Sequence, residues 1–241
     1  MYEKLRGVVL NTVRHNERTN IVHIYTDGNG LMAFAVTPGS TRSARARNAL
    51  LMPLSLVDVE AQVRQAHEVC RLREVRRNYS LATIYSDPFK NAIALFISEL
   101  LTHVMQEPER NVPLFDYIER SVILLEQMTG SVANFHICFL YHLGGFLGIQ
   151  PNLEGYSAGY WFDMVDGVFK AGASGGHPHL KPDEARVIYL LSRMTFANMQ
   201  HFRFNREQRN RVLDVIISYY RLHNASIGTL RSPDILRQLF V

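Results

Sequence analysis

Arginines carry most of the chemistry available to this chain. Arg14 with Arg18, Arg42 with Arg45 and Arg47, Arg71 with Arg73, and Arg76 with Arg77 form four basic clusters in the first third of the sequence. A guanidinium stays charged at physiological pH, and its planar fork of N–H groups matches phosphate oxygens. The second cluster follows Gly39-Ser40-Thr41, so a flexible backbone, hydroxyls and guanidinium groups can all bond phosphates there without reading bases. This stretch is expected to be a loop. Sequence-neutral gripping of a nucleic-acid backbone follows, with Arg14, Arg18, Arg42, Arg45, Arg47, Arg71 and Arg73 as candidate DNA contacts. Tyr25 and Phe34 would add base stacking if they stood on an open barrel face, although aromatics in strands more often build a core.

Other reactive residue types do not assemble into a catalytic set. His177 and His179 have no nearby cysteines or ordered carboxylate pair to complete a tetrahedral metal site. His136 and His142, six residues apart, fall on nearly opposite faces of a helix, which suits packing or surface roles. Gly172 to Gly176 lacks the spacing of a nucleophile elbow, and no GxxxxGK[ST] phosphate loop occurs. Asp163, Asp166, Asp183 and Glu184 fit no metal-nuclease spacing. A protein without catalysis, metal or cofactor is expected. Cys70 and Cys138 suit two reduced, buried thiols, the usage of a cytoplasmic protein.

Charge placement supports the polyanion reading. The net charge is +4, yet residues 1–80 hold 12 Lys/Arg against 7 Asp/Glu, while the remainder holds 14 against 15. No acid occurs between Asp27 and Asp58, the interval that contains Arg42, Arg45 and Arg47. Neutralising phosphates there releases counterions and makes binding steeply salt-dependent. The uncharged stretch that runs from Gly28 up to Arg42 is interrupted by Gly30, Pro38 and Gly39 and is too short for a membrane span. The N-terminus, charged at Glu3, Lys4 and Arg6, does not read as a secretory signal.

Two regions must position these groups. Leu5 to Val13, Ile21 to Thr26 and Leu31 to Thr37 read as strands, with Val22, Ile24 and Thr26 alternating against Ile21, His23 and Tyr25. Asp27-Gly28-Asn29-Gly30 supplies a tight hairpin. With Leu54 to Val63 and His67 to Arg76, five strands fit a small closed barrel of the OB type over residues 1–80. Beyond Tyr79 the apolar period lengthens to that of a helix, which predicts an all-α domain over 81–241 and an α+β protein overall. Asp87-Pro88 opens one helix, marked by Phe89, Ile93, Phe96, Leu100 and Val104. Leu114, Ile118, Val122 and Leu125 mark a second, and Val132 to Leu147 a third that is apolar nearly all round. Residues 149–181 are rich in glycine and aromatics and should form loops or a short ribbon. Helices resume after Pro182, Asn205 with Gln208 forms a capping box, and Ser232-Pro233-Asp234 opens a short final helix.

These ordered features resemble the RecO family, bacterial mediators of DNA repair and recombination, over nearly the full chain. The similarity runs through Gly7-Val8-Val9-Leu10, Glu17-Arg18-Thr19-Asn20-Ile21-Val22, Tyr25-Thr26, Gly30, Gly39, the basic stretch and Pro53-Leu54. It continues at Phe139, then Gly148, Pro151, Asn152 and Leu153, and closes at Leu230-Arg231-Ser232-Pro233-Asp234-Ile235-Leu236. The resemblance implies a non-catalytic mediator that binds single- and double-stranded DNA, anneals complementary strands and helps load recombinase on DNA coated by single-strand-binding protein. It implies RecR and the C-terminal tail of the single-strand-binding protein as partners. Many family members carry a four-cysteine zinc module after the Pro-x-Leu turn, whereas Glu154 to His179 contains no cysteine here. Zinc is therefore expected to be absent, with Tyr156, Tyr160, Trp161, Phe162 and Phe169 substituting hydrophobic burial. A basic barrel also suits an RNA-binding or translation-associated protein, and solvated arginines would suit a structural adaptor.

Overall fold

The computed structural model describes residues 2–63, 69–105, 109–173 and 175–239. Five strands close a barrel: β1 (Tyr2–Asn16), β2 (Thr19–Thr26), β3 (Gly30–Val36), β4 (Leu56–Gln62) and β5 (Cys70–Arg77). Their order is β1-β2-β3-β5-β4, with β4 returning to β1 and a short parallel seam joining β3 to β5. That is the OB arrangement the strand count predicts. The expected start of the fifth strand at His67 lies outside the described residues, as does Ser174 of the Gly172 to Gly176 stretch.

Alternation sets which side chains fill the barrel. Val9, Val22, Ile24, Met32, Phe34, Val57 and Val59 point inward and form one cluster with Leu51 and Cys70. Thr26, inward and fully buried, donates its hydroxyl to the Gly30 carbonyl at 2.9 Å and accepts from the Asn29 N–H at 3.1 Å. Gly30 has a φ of +62°, and a Cβ there would stand 2.5 Å from the Glu109 carbonyl oxygen. Both conformation and space demand glycine at this turn.

Between β3 and β4 the chain forms α1 (Arg42–Ala49), not the expected loop. The Thr41 hydroxyl accepts from the Ala44 N–H at 3.2 Å and caps it. The helix buries none of its own residues. Leu51, just past its end, is anchored in the barrel core.

A five-residue helix that the apolar periodicity does not announce, α2 (Ala82–Ser86), precedes α3 (Pro88–Val104) and α4 (Val112–Gln127). These helices belong with the barrel. Ser98 of α3 donates to the Leu10 carbonyl, and Phe115 of α4 stacks on Tyr25 with centroids 6.3 Å apart. The outer wall of β1 and β2 is covered in this way, and the compact unit extends over Met1–Thr129 with Leu230–Leu236. The period change near residue 80 thus marks where strands give way to helices, while the compact unit continues past it. Glu99 ties in the C-terminal segment by accepting from the Arg231 and Ser232 N–H groups, each at 2.9 Å.

The Glu126 carboxylate accepts from the N–H groups of Ala82, Thr83 and Ile84 at 3.0, 2.8 and 2.9 Å, closing the N-terminus of α2. Burial alone would raise its pKa, but these bonds hold it below the ordinary value. The folded pKa is depressed, so the stabilisation is full above the ordinary carboxylate range, about 4.3, and fades as pH falls through the folded value. Glu126→Gln is expected to melt below the parent protein at pH 7. The gap should narrow toward pH 3 in thermal scans.

The second unit, Gly130–Thr229 with Arg237–Val241, is built on α5 (Phe135–Phe146). This helix starts three residues later than its apolar run suggests, because Asn134 turns its amide to the Met199 and Phe202 carbonyls at 2.9 and 2.7 Å. Nine of its twelve residues are buried, as its composition implies. A three-stranded ribbon follows, β6 (Trp161–Asp163), β7 (Val168–Lys170) and β8 (His179–Leu180), with β6 in the middle. Then come α6 (Pro182–Leu191) and α7 (Arg206–His223), the latter opened by the predicted Asn205–Gln208 capping box. Within this unit Tyr220 of α7 donates to the Leu140 carbonyl of α5 at 2.5 Å. The final helix, α8, spans Ser232–Leu239. Among the described residues no helix is long and apolar enough to cross a membrane.

Candidate nucleic-acid interface

Strand register brings several of the distant arginines together at the end of β3. Arg14 on β1 pairs with Asn20 on β2, Asn20 pairs with Val36 on β3, and the neighbouring Ala35 pairs with Arg71 on β5. Arg14 and Arg71 are therefore three strand spacings apart around the curved barrel wall, an arc of roughly 15 Å. Arg18 sits in the β1–β2 turn, where its N–H donates to the Asn16 side chain at 2.8 Å. The chain leaves β3 at Val36 and enters α1 at Arg42, so the α1 arginines return to the same end. Arg45 donates to the Ser40 carbonyl at 2.8 Å, and Arg47 donates to the Thr37 carbonyl.

These seven arginines do not all have the same freedom. Arg14, Arg18, Arg42, Arg45 and Arg71 are exposed, and among the described residues no carboxylate pairs with them. Arg47 is half-buried, and its bond to Thr37 ties the last turn of α1 back to the residue that follows β3. Arg73 is engaged elsewhere, ion-paired to Glu60 at 2.8 Å and stacked over the Tyr2 ring at 4.9 Å. Arg76 pairs with Glu74 at 2.8 Å.

The barrel is electrostatically polar as a result. A groove of about 410 Å³ is lined by Lys4, Arg6 and Arg76 together with Asp27, Asp58, Glu60 and Glu74. Arg6 there reaches Asp27, Asp116 and Glu119 at 3.1, 3.6 and 2.8 Å. Positive charge in this groove is cancelled locally. At the β3 end the hairpin turn carries Glu17 beside the exposed Arg14 and Arg18.

The two candidate stacking aromatics are not available. Phe34 is fully buried at the barrel centre, and Tyr25, though outward, is covered by Phe115. Burial pushes the Tyr25 hydroxyl up to about 12. Both residues build the core.

Comparison with known proteins matches the two halves of the chain to paired family models. Residues 1–79 match "Recombination protein O N terminal" and residues 85–229 match "Recombination protein O C terminal". The chain belongs to the RecO family. RecO relatives named DNA repair protein RecO include one from Bacteroides fragilis, 39% identical over 241 residues, and one from Phocaeicola vulgatus, 38% identical over 240 residues. A RecO from Flavobacterium johnsoniae is 29% identical over 241 residues, and each of the three alignments covers the whole of both chains.

Zinc of the kind carried by many RecO proteins does not fit the residues present here. The ribbon region holds no thiolate ligand, and its buried carboxylate, Asp163, is bonded to the Lys170 ammonium at 2.8 Å. Phe162 and Phe169 are buried in the ribbon, while Tyr156, Tyr160 and Trp161 are half-buried. His136 is buried in α5, where desolvation and the nearby Arg209 push its pKa down to about 3. His142 bonds the Met194 carbonyl at 2.7 Å. Burial raises the Cys138 thiol to about 12, which makes it inert.

Proposed function

We propose that this protein is a non-catalytic mediator of DNA repair and recombination, whose barrel grips single- and double-stranded DNA through the β3-end arginines. The observation that carries the reading is five exposed guanidinium groups gathered at one barrel end, with no carboxylate partners among the described residues. Arg14, Arg18, Arg42, Arg45 and Arg71 would hold phosphates of two strands, screening the repulsion that opposes pairing. Annealing then requires no reacting side chain. Arg47 would contribute less because it is half-buried, and Arg73 because Glu60 already compensates its charge.

Family membership and the name DNA repair protein RecO on the relatives support this role. In this reading residues 1–80 bind DNA and residues 81–241 recruit RecR and the acidic tail of single-strand-binding protein. Recombinase is then loaded on the coated strand, in the cytoplasm. An annealing assay with complementary oligonucleotides, with and without coating protein, tests the proposal. Faster annealing in both conditions is expected. Annealing no faster than in buffer would refute it, and preferential RNA binding in a competition titration would favour a translation-associated role.

A further inference from the structure

A ribbon of eight strand residues buries little surface of its own, so side-chain cross-links weigh heavily in its shape. Asp163, at the end of the central strand β6, supplies one. Its carboxylate is fully shielded from solvent. One oxygen accepts from the Val165 and Asp166 N–H groups, each at 3.0 Å, which shapes the β6–β7 turn. The other receives the Lys170 ammonium at 2.8 Å and lies 3.1 Å from the His177 Nδ1, so residues from both flanking segments converge on it. Lys170 also donates to Asp166 at 2.6 Å.

The same carboxylates and imidazole are metal-ligand types. Ligand atoms of Asp163, Asp166 and His177 lie within 4.8 Å of one another, yet the ammonium already bonds both carboxylates. We infer that Lys170 is the resident cation of this ribbon, tying β7 to β6 and to the β6–β7 turn in place of a metal ion and keeping a divalent cation out, while the same Asp163 carboxylate holds the segment before β8 through His177. A tethered ammonium cannot be chelated away or lost by dilution. The fold of the ribbon is thereby independent of metal supply, unlike that of small modules whose folding is metal binding. The aromatic packing of Phe162 and Phe169 accompanies this cross-link but does not neutralise the buried carboxylate.

Thermal melting of the full chain with zinc chloride or with EDTA, on the parent protein and on Lys170→Ala, tests the inference. The parent is expected to melt at the same temperature in both. Lys170→Ala should melt several degrees lower in EDTA, lose hydrogen-exchange protection in residues 160–180, and recover part of the loss in zinc. A zinc-dependent shift of the parent, or stoichiometric zinc retained through its purification, would overturn the inference. So would a Lys170→Ala protein that melts like the parent in EDTA or ignores zinc. Should that variant not fold, the parent arm decides alone, and Lys170→Arg, which keeps the charge, is expected to fold and to remain indifferent to zinc.

Discussion

Joint replacement of Arg14, Arg18, Arg42 and Arg45 with alanine is expected to weaken binding of single-stranded DNA by roughly two to three orders of magnitude at about 0.1 M monovalent salt. The size follows from counterion release. Each phosphate held on a single strand contributes about 0.7 to the slope of log affinity against log salt, and the electrostatic part of binding has faded near 1 M. Releasing four phosphates over that decade of salt gives a factor of this size. All four side chains are exposed, and none fills the barrel core, so the variant should keep its fold. Arg73→Ala serves as the contrast, because Glu60 already compensates its charge. It should change affinity by less than about threefold, the scale of one exposed ion pair. Fluorescence anisotropy with labelled oligonucleotides, beside circular dichroism to confirm folding, checks both.

The second large effect concerns the barrel that holds these arginines in register. Phe34→Ala should cost about 3–5 kcal/mol, since it empties the centre of a closed barrel whose walls cannot collapse freely into the space. Phe34 is fully buried, and its backbone pairs with Cys70 in the short parallel seam that closes β3 on β5. That seam also seats Arg71. A loss of this size is a large share of the roughly 5–15 kcal/mol that stabilises a typical domain. Urea denaturation should show an earlier midpoint, and DNA affinity should fall only where the barrel has unfolded. Were Phe34 a base-stacking residue, the variant would instead lose affinity while keeping its stability.

Much of this architecture is legible in the residues themselves. Val22, Ile24 and Thr26 alternate with outward residues because one face of β2 meets the core, and period-2 patterns report that directly. Asp87-Pro88 and the Asn205–Gln208 box announce helix starts through local hydrogen bonding, which needs no knowledge of the tertiary fold. The α1 helix is hidden for the opposite reason. A helix that buries none of its residues prints no apolar stripe, and its signals are only the Thr41 cap and the alanines Ala44, Ala46 and Ala49 among the arginines.

Pairings across strands are likewise out of reach of local patterns. Arg73 and Glu60 meet through the β4–β5 register, which carries an irregularity beside Glu60 that sequence spacing does not reveal. The candidate site is therefore legible as a set of charges but not as a division between free and compensated ones. Asp163, Lys170 and His177 meet only because the ribbon folds back twice. Their spacing of seven and seven residues matches no motif, and the adjacent histidines at 177 and 179 give no local sign of the carboxylate that one of them touches.

The most direct test is the salt dependence of binding for the parent protein and the fourfold arginine variant, on two unrelated single-stranded sequences of equal length. Parallel lines are expected for the two sequences, with a slope shallower by about 2.8 in the variant. Equal slopes for parent and variant would place the phosphates somewhere other than the β3 end of the barrel.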